Sequence, residues 1–166
     1  MKYIVFSTML LFHIQIINAQ LSFLEAKPKQ SVELGQVTWE RDLQKGLLQA
    51  AKANKAVFLL FQEVPGCATC RNYGQNVLSH PLIVEAIETF FVPVAIFNNK
   101  GGEDARVLKY YNEPSWNNPV VRIVGSDKKD LVPRVGNNYS KLAVVEAMIQ
   151  ALKEKKQTVP VYLELL

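Results

Sequence analysis

Residues 56–70 read AVFLLFQEVPGCATC, and the interpretation of the whole chain starts from this stretch. Its first part, Ala56 to Phe61, is an apolar run that is too short for a helix and suits a strand covered on both faces. Residues 64–66 contain proline and glycine and turn the chain. Cys67 and Cys70 follow, so the sequence predicts a central strand that delivers two cysteines to the start of a helix.

The flanking segments alternate between helical and strand patterns. We predict helices over residues 38–54, 67–79, 81–90, 103–111 and 140–155, and strands over residues 91–97, 120–124 and 131–135. Thr38 is the expected N-cap of the first helix, Gly74 is expected to interrupt or weaken the second, and Leu142 is expected on the buried face of the last. Pro93 favours an edge position for its strand. The order predicts an α/β fold in which a mixed central β-sheet is flanked by helices.

The N-terminus has the layout of a secretory signal peptide over residues 1–19. Lys2 precedes a short apolar stretch, which ends in small or polar residues at Ala19. An uncleaved N-terminal anchor is the alternative. We then expect a leader segment with a short strand over residues 20–36, one domain over residues 37–156, and a C-terminal tail without an assigned role over residues 157–166. The expected location is exported, either periplasmic or secreted.

Charge and composition argue against two classes of partner. The formal net charge is only +4 at pH 7, and the lysines are scattered without the basic stripe that nucleic-acid binding requires. No stretch after residue 19 is apolar enough to cross a membrane. We therefore expect no nucleic-acid partner, and no membrane contact beyond an uncleaved signal anchor.

The cysteine count is the most informative number. An exported chain can keep disulfides, yet this one has 2 cysteines, both in the Cys-x-x-Cys motif. The N–H groups at the start of a helix stabilise a thiolate at Cys67, whereas Cys70, one turn further along, is expected to be buried and less ionised. This context predicts thiol–disulfide exchange, with Cys67 as the nucleophile and Cys70 as the resolving thiol.

Two other interpretations of the pair stay open at this point. A structural disulfide is one, although such a short ring constrains the unfolded chain weakly. Zinc is the other, although structural zinc takes four ligands and the part after residue 19 offers only Cys67, Cys70 and His80, so no metal site is predicted. Arg71 either favours the thiolate or is a solvated surface charge.

The order of elements and the motif Cys67-Ala68-Thr69-Cys70 resemble the thioredoxin superfamily, in particular its exported members. The similarity runs from about Val37 to Lys155. It implies a thioredoxin-like fold and a thiol–disulfide oxidoreductase that contributes to cell redox homeostasis without a bound cofactor. Its partners would be protein thiols or disulfides and an external redox partner.

The resemblance also implies a substrate groove. A cis-proline lies opposite the active site in that family, and Pro119 is the matching residue. Asn118 before it would offer backbone hydrogen bonds to an extended substrate, with Trp116 and Gly136 framing the groove. Gly66 stands where many thioredoxins have an aromatic residue and would contact partners differently.

Two further departures concern proton transfer and redox direction. The buried acid that many thioredoxins carry on the strand before the motif is replaced here by Leu60 and Phe61. Glu63 could substitute, but it is expected to face solvent. The dipeptide between the cysteines leaves the direction of electron flow open. The competing hypothesis is a noncatalytic binding module that uses the groove around Trp116 to Pro119.

Overall fold

The structure is a computed structural model that describes residues 29–116 and 118–166. The predicted signal peptide and most of the predicted leader lie outside these residues. Among the described residues, no helix combines the length and apolarity that a membrane span requires.

Helices and strands alternate along the chain much as predicted. A single 3₁₀ turn at Val32–Leu34 comes first. The helices are α1 (Leu43–Ala53), α2 (Ala68–Asn76), α3 (Pro81–Phe90), α4 (Glu103–Tyr111), α5 (Lys141–Glu154) and α6 (Val161–Glu164). The strands are β1 (Ala56–Gln62), β2 (Phe91–Phe97), β3 (Val120–Val124) and β4 (Val135–Gly136).

The sheet is mixed, in the order β2-β1-β3-β4. Strand β1 runs parallel to β2 and antiparallel to β3, and β4 runs antiparallel to β3. Pro93 lies in β2, the edge strand of this order, as its missing N–H predicts. The predicted α/β fold with a mixed central sheet is confirmed.

Strand β1 is buried on both faces, and its side chains alternate between two apolar layers. Val57, Leu59 and Phe61 point into a layer with α1 and α4. Phe58 and Leu60 point into a second layer with α2, α3, α5 and α6. This burial explains the continuous apolar run, because each face of the strand meets helices and neither meets water.

The first helix begins later than predicted. Thr38 is not its N-cap, since the Thr38 N–H donates to the Glu88 carboxylate at 2.7 Å and residue Glu40 forms a β-bridge with Val94. Asp42 caps the helix instead, and its side chain accepts from the backbone N–H of residue 45 at 3.1 Å. The segment before α1 therefore extends along the sheet edge.

Gly74 does not interrupt helix α2. A Cβ at this position would lie 2.0 Å from the backbone oxygen of Val32, so the glycine lets the 3₁₀ turn pack directly against the helix. The described part of the leader forms this turn and not the expected short strand. The helix itself ends at Asn76, before the predicted end at Ser79.

Three details of the C-terminal half also differ. In place of the predicted strand over residues 131–135, the structure has a two-residue strand at Val135–Gly136 and an isolated bridge from Val124 to Asp130. In α5, Leu142 is 55% exposed, because the buried stripe runs through Val144, Val145 and Met148. The tail contains α6, whose Leu163 is buried, so this segment is part of the core.

Candidate active site

The two cysteines lie after the turn that connects β1 to α2, at the start of the helix. Cys67 is the exposed N-cap residue of the helix, and Cys70 is fully buried in its first turn. Their Sγ atoms are 3.2 Å apart, and both are free thiols. The placement agrees with the expectation that the first sulfur is accessible and the second is held beneath it.

The environment separates the acidities of the two thiols. Burial alone raises the pKa of Cys67, but hydrogen bonds from the Cys70 N–H, the Cys70 thiol and the Thr69 N–H outweigh it, so the pKa lies below the ordinary value of 9.0. Burial raises the pKa of Cys70 to about 12, and the neighbouring Cys67 sulfur adds to the rise. The pair therefore combines an ionisable outer sulfur with a protonated inner one.

A buried carboxylate holds the turn before Cys67. Glu33, in the 3₁₀ turn, is 2% exposed and accepts from the Gly66 N–H at 2.7 Å. Burial alone raises the pKa of Glu33, but hydrogen bonds from Ser31 and Gly66 and the charge of Arg71 bring it below the ordinary 4.5. Arg71 also donates to the Gly66 carbonyl at 2.6 Å, so its role here is to close the turn.

Gly66 is required by the close approach of Cys70. A Cβ at position 66 would lie 2.4 Å from the Glu63 carbonyl oxygen and 2.7 Å from the Cys70 Cβ. The aromatic residue common before the first cysteine in thioredoxins would not fit this backbone. Packing on the inner cysteine is thus a physical reason for the departure found in the sequence.

Asn98 and Asn99 follow β2 and join the two loops of the site. Asn99 accepts from the Val64 N–H at 3.2 Å and donates to the Pro65 carbonyl at 3.1 Å. Asn98 is buried, and its side-chain amide donates to the Asn118 side-chain oxygen. One dipeptide therefore holds both the turn before the cysteines and the loop before Pro119.

The sheet register places Pro119 and Gly136 at the same end of the sheet as the C-terminal end of β1. Val120 pairs with Phe61 on one side and with Gly136 on the other, so Pro119 lies beside the end of β1. The Asn118–Pro119 peptide bond is cis, as the resemblance implies. Trp116 is 80% exposed, on the loop that leads to this edge.

Glu63 is closer to the chemistry than the sequence indicated. It is half-buried, and a carboxylate oxygen and the two cysteine sulfurs all lie within 4.8 Å of one another. Leu60 and Phe61 are fully buried and apolar, so neither supplies an acid.

Several contributors to the site escaped sequence reasoning. Glu33 lies far from the motif in the sequence, and no local pattern marks it. Gln62 lies one residue beyond the predicted strand, yet it is the last residue of β1, is fully buried and donates to the backbone oxygens of Glu33 and Cys70. Asn98 and Asn99 come directly after the predicted strand of residues 91–97, and this position was the one available signal.

Comparison with known proteins supports the same fold. A family model described as thioredoxin-like matches residues 38–126, more than half of the chain. A solved structure named DsbH oxidoreductase is similar at a TM-score of 0.60 and 16% identity, covering 81% of this chain and 98% of that one. A sequence comparison with curated proteins found no match. With its Cys-x-x-Cys motif at the start of α2, this chain belongs to the thioredoxin-like family.

Proposed function

We propose that this protein is an exported thiol–disulfide oxidoreductase that exchanges disulfides with protein partners through Cys67 and Cys70. The observation that carries the proposal is the asymmetry of the pair. An exposed sulfur caps a helix, and a buried sulfur lies 3.2 Å away. Such a pair is suited to attack and release, whereas two buried sulfurs would be suited only to a structural bond.

The first step is attack by the Cys67 thiolate on one sulfur of a partner disulfide. A new S–S bond forms between Cys67 and that sulfur, and the partner's S–S bond breaks. The second partner sulfur leaves with the electron pair as a thiolate and takes a proton from solvent. Exposure of Cys67 supports this role, because an incoming disulfide reaches it without any opening of the fold.

The second step needs Cys70 as a thiolate. Its proton must leave, and the Glu63 carboxylate lies close enough to accept it through a short rearrangement or one water. Cys70 then attacks the Cys67 sulfur, the mixed disulfide breaks, and the partner leaves reduced by two electrons. In this direction the protein ends with the Cys67–Cys70 disulfide, and an external dithiol returns the electrons before the next cycle. The same steps in reverse oxidise a partner dithiol, with an external oxidant restoring the disulfide.

The groove beside the cysteines is proposed to hold the partner's chain. The cis peptide at Pro119 and the end of β4 at Gly136 lie at the sheet edge where β1 leaves for Cys67. Asn118 would present its backbone to an extended segment, and exposed Trp116 would cover the segment's apolar side chains. Export is proposed from the signal-like residues 1–19, and partner proteins keep their disulfides in the oxidising compartments outside the cell.

Insulin reduction tests the activity directly. With dithiothreitol as the electron source, the wild-type protein should accelerate insulin precipitation over the uncatalysed rate. Cys67→Ser should lose this activity. Cys70→Ser should lose turnover, and when the pre-reduced variant is mixed with insulin in the absence of dithiothreitol it should accumulate mixed disulfides, which are visible on a non-reducing gel. A wild-type protein that leaves the insulin rate unchanged would contradict the proposal.

A noncatalytic binding module is the second candidate because Trp116, on the loop that leads to Pro119, is 80% exposed. This candidate predicts that both serine variants bind an extended peptide as tightly as the wild type. It also predicts that Trp116→Ala weakens peptide binding while insulin turnover is absent in every variant. Peptide affinity and insulin turnover, measured on the same preparations, separate the two functions.

A further inference from the structure

We propose that the reduced protein binds one Zn²⁺ ion through the Sγ atoms of Cys67 and Cys70 and a carboxylate oxygen of Glu63. The sequence offered His80 as the third ligand, but His80 lies beyond the C-terminal end of α2, and the cysteines lie at its start. Glu63 takes that place because the turn of residues 63–66 folds back over the first turn of the helix.

The geometry fits a single ion. The three ligand atoms lie within 4.8 Å of one another, and the two sulfurs are 3.2 Å apart. A tetrahedral Zn²⁺ with bonds of about 2.3 Å to sulfur and about 2.0 Å to oxygen holds its ligand atoms roughly 3.5–4 Å apart. Small side-chain rotations are enough to reach that arrangement. Cys67 is exposed, so a water molecule could supply the fourth ligand.

The donor set selects the metal. Two thiolates and one carboxylate suit Zn²⁺, which accepts both sulfur and oxygen ligands. Cu⁺ prefers sulfur alone and would gain little from Glu63, and Mg²⁺ and Ca²⁺ prefer oxygen ligands. Binding releases both thiol protons, so the apparent affinity should rise with pH.

The turn that carries Glu63 is held independently of any metal. Asn99 holds residues 64 and 65, and Glu33 holds the Gly66 N–H. The ligand atoms are therefore close together before an ion arrives, which lowers the entropic cost of binding. An occupied site also engages both thiolates, so Zn²⁺ should inhibit disulfide exchange. Only this last consequence rests on the proposed oxidoreductase activity.

Metal titration of the reduced protein tests the site. Co²⁺ should bind at one equivalent per chain with thiolate charge-transfer and four-coordinate visible bands, and Zn²⁺ should displace it. Competition with a chromophoric chelator should show that Glu63→Gln weakens Zn²⁺ binding by about tenfold or more. The matched control, Glu154→Gln at an exposed position of α5, should bind as the wild type does.

Cys67→Ser, Cys70→Ser and the oxidised wild-type protein should lose the thiolate bands. Thermal unfolding in the absence of metal checks that the Glu63→Gln variant is folded. Equal Zn²⁺ affinity in wild type and Glu63→Gln would overturn the proposal, as would a chain dimer bridged by one ion in sedimentation. Insulin turnover without metal is measured separately, so loss of the zinc site and loss of exchange activity are distinguishable.

Discussion

At the scale of single residues, the site depends on the difference between two sulfurs three positions apart. Cys67 receives hydrogen bonds from the backbone at the helix start, and Cys70 is enclosed by the core. A thiolate is stabilised by N–H donors and destabilised by loss of water, so one turn of helix gives two opposite environments. The position of the pair relative to α2 therefore assigns the two chemical roles.

This asymmetry predicts the pH dependence of alkylation. Because hydrogen bonds lower the pKa of Cys67, its reaction with iodoacetamide should reach half of its maximal rate below pH 9.0, the ordinary thiol value. Cys70, with a pKa near 12, should stay almost unreactive up to pH 9. Mass spectrometry of the reduced protein after timed alkylation at each pH measures both rates.

The variant Cys70→Ala provides the control. It removes the thiol hydrogen bond but keeps the backbone donors, so the midpoint for Cys67 should move upward without reaching the value of a free thiol. A wild-type midpoint at or above that of free cysteine would show that the helix start does not stabilise the thiolate.

The sequence predicted the placement of the candidate site residues correctly where the pattern that marks them lies close by in the chain. Cys67 and Cys70 follow an apolar run and a turn, and this local order places them at a helix start. The prediction that Glu63 faces solvent was wrong, since it used the average exposure of glutamate. That average contains no information about a turn that folds back on the helix. Glu33 was out of reach, because its contact with Gly66 spans 33 residues.

At the scale of elements, the segment after β2 organises two loops that carry the chemistry. Asn98 and Asn99 point in different directions from the same strand end. The first contacts the loop before Pro119, and the second contacts residues 64 and 65. The described residues of the two loops have no regular secondary structure, so these side-chain hydrogen bonds replace the ladder that a strand would provide.

Asn99→Ala should loosen the turn before Cys67. The substitution leaves the Val64 N–H and the Pro65 carbonyl without their side-chain partner, and we expect a loss of about 1 kcal/mol in the free energy of unfolding, since Asn99 itself is exposed. Amide hydrogen exchange at residues 64–67 should accelerate more than exchange in the core of β1. Both quantities are measured on the reduced protein.

Lys100→Ala is the matched control, since Lys100 is the exposed neighbour and offers only its backbone N–H to Phe97. Its stability and exchange rates should match the wild type. If Asn99→Ala and Lys100→Ala gave the same exchange rates at residues 64–67, the turn would not depend on the asparagine.

Helices and strands were predicted correctly where one apolar face or one apolar run is buried. Strands β1, β2 and β3 and helices α3 and α4 match their patterns because each has a clear apolar face or run. The start of α1 was wrong because Thr38 and Asp42 are both capping residue types. The choice between them is made by the sheet edge, where residue Glu40 pairs with Val94, and a local pattern does not contain that information.

At the scale of the whole molecule, both ends of the described chain pack against the helices that cover the sheet. The 3₁₀ turn packs on α2 from the N-terminal side. At the other end, the Gln157 side chain donates to the Asn54 carbonyl at 2.7 Å, at the end of α1. Helix α6 then packs on α3 and α5. No role could be assigned to the tail from the sequence, because a helix of four residues is too short to show a helical period.

Leu163→Ala tests how much this tail contributes to the fold. Leu163 is 1% exposed within the layer formed by α2, α3 and α5, so truncation removes buried methyl groups and leaves a cavity. The free energy of unfolding should fall by about 2–4 kcal/mol in urea titrations.

Leu165→Ala is the control, at a position that is 81% exposed, and it should change the free energy of unfolding by less than about 0.5 kcal/mol. Equal effects of the two substitutions would mean that α6 does not belong to the folded core. Insulin turnover should persist in folded Leu163→Ala, because the residue stabilises the layer beneath the site and does not contact the cysteines.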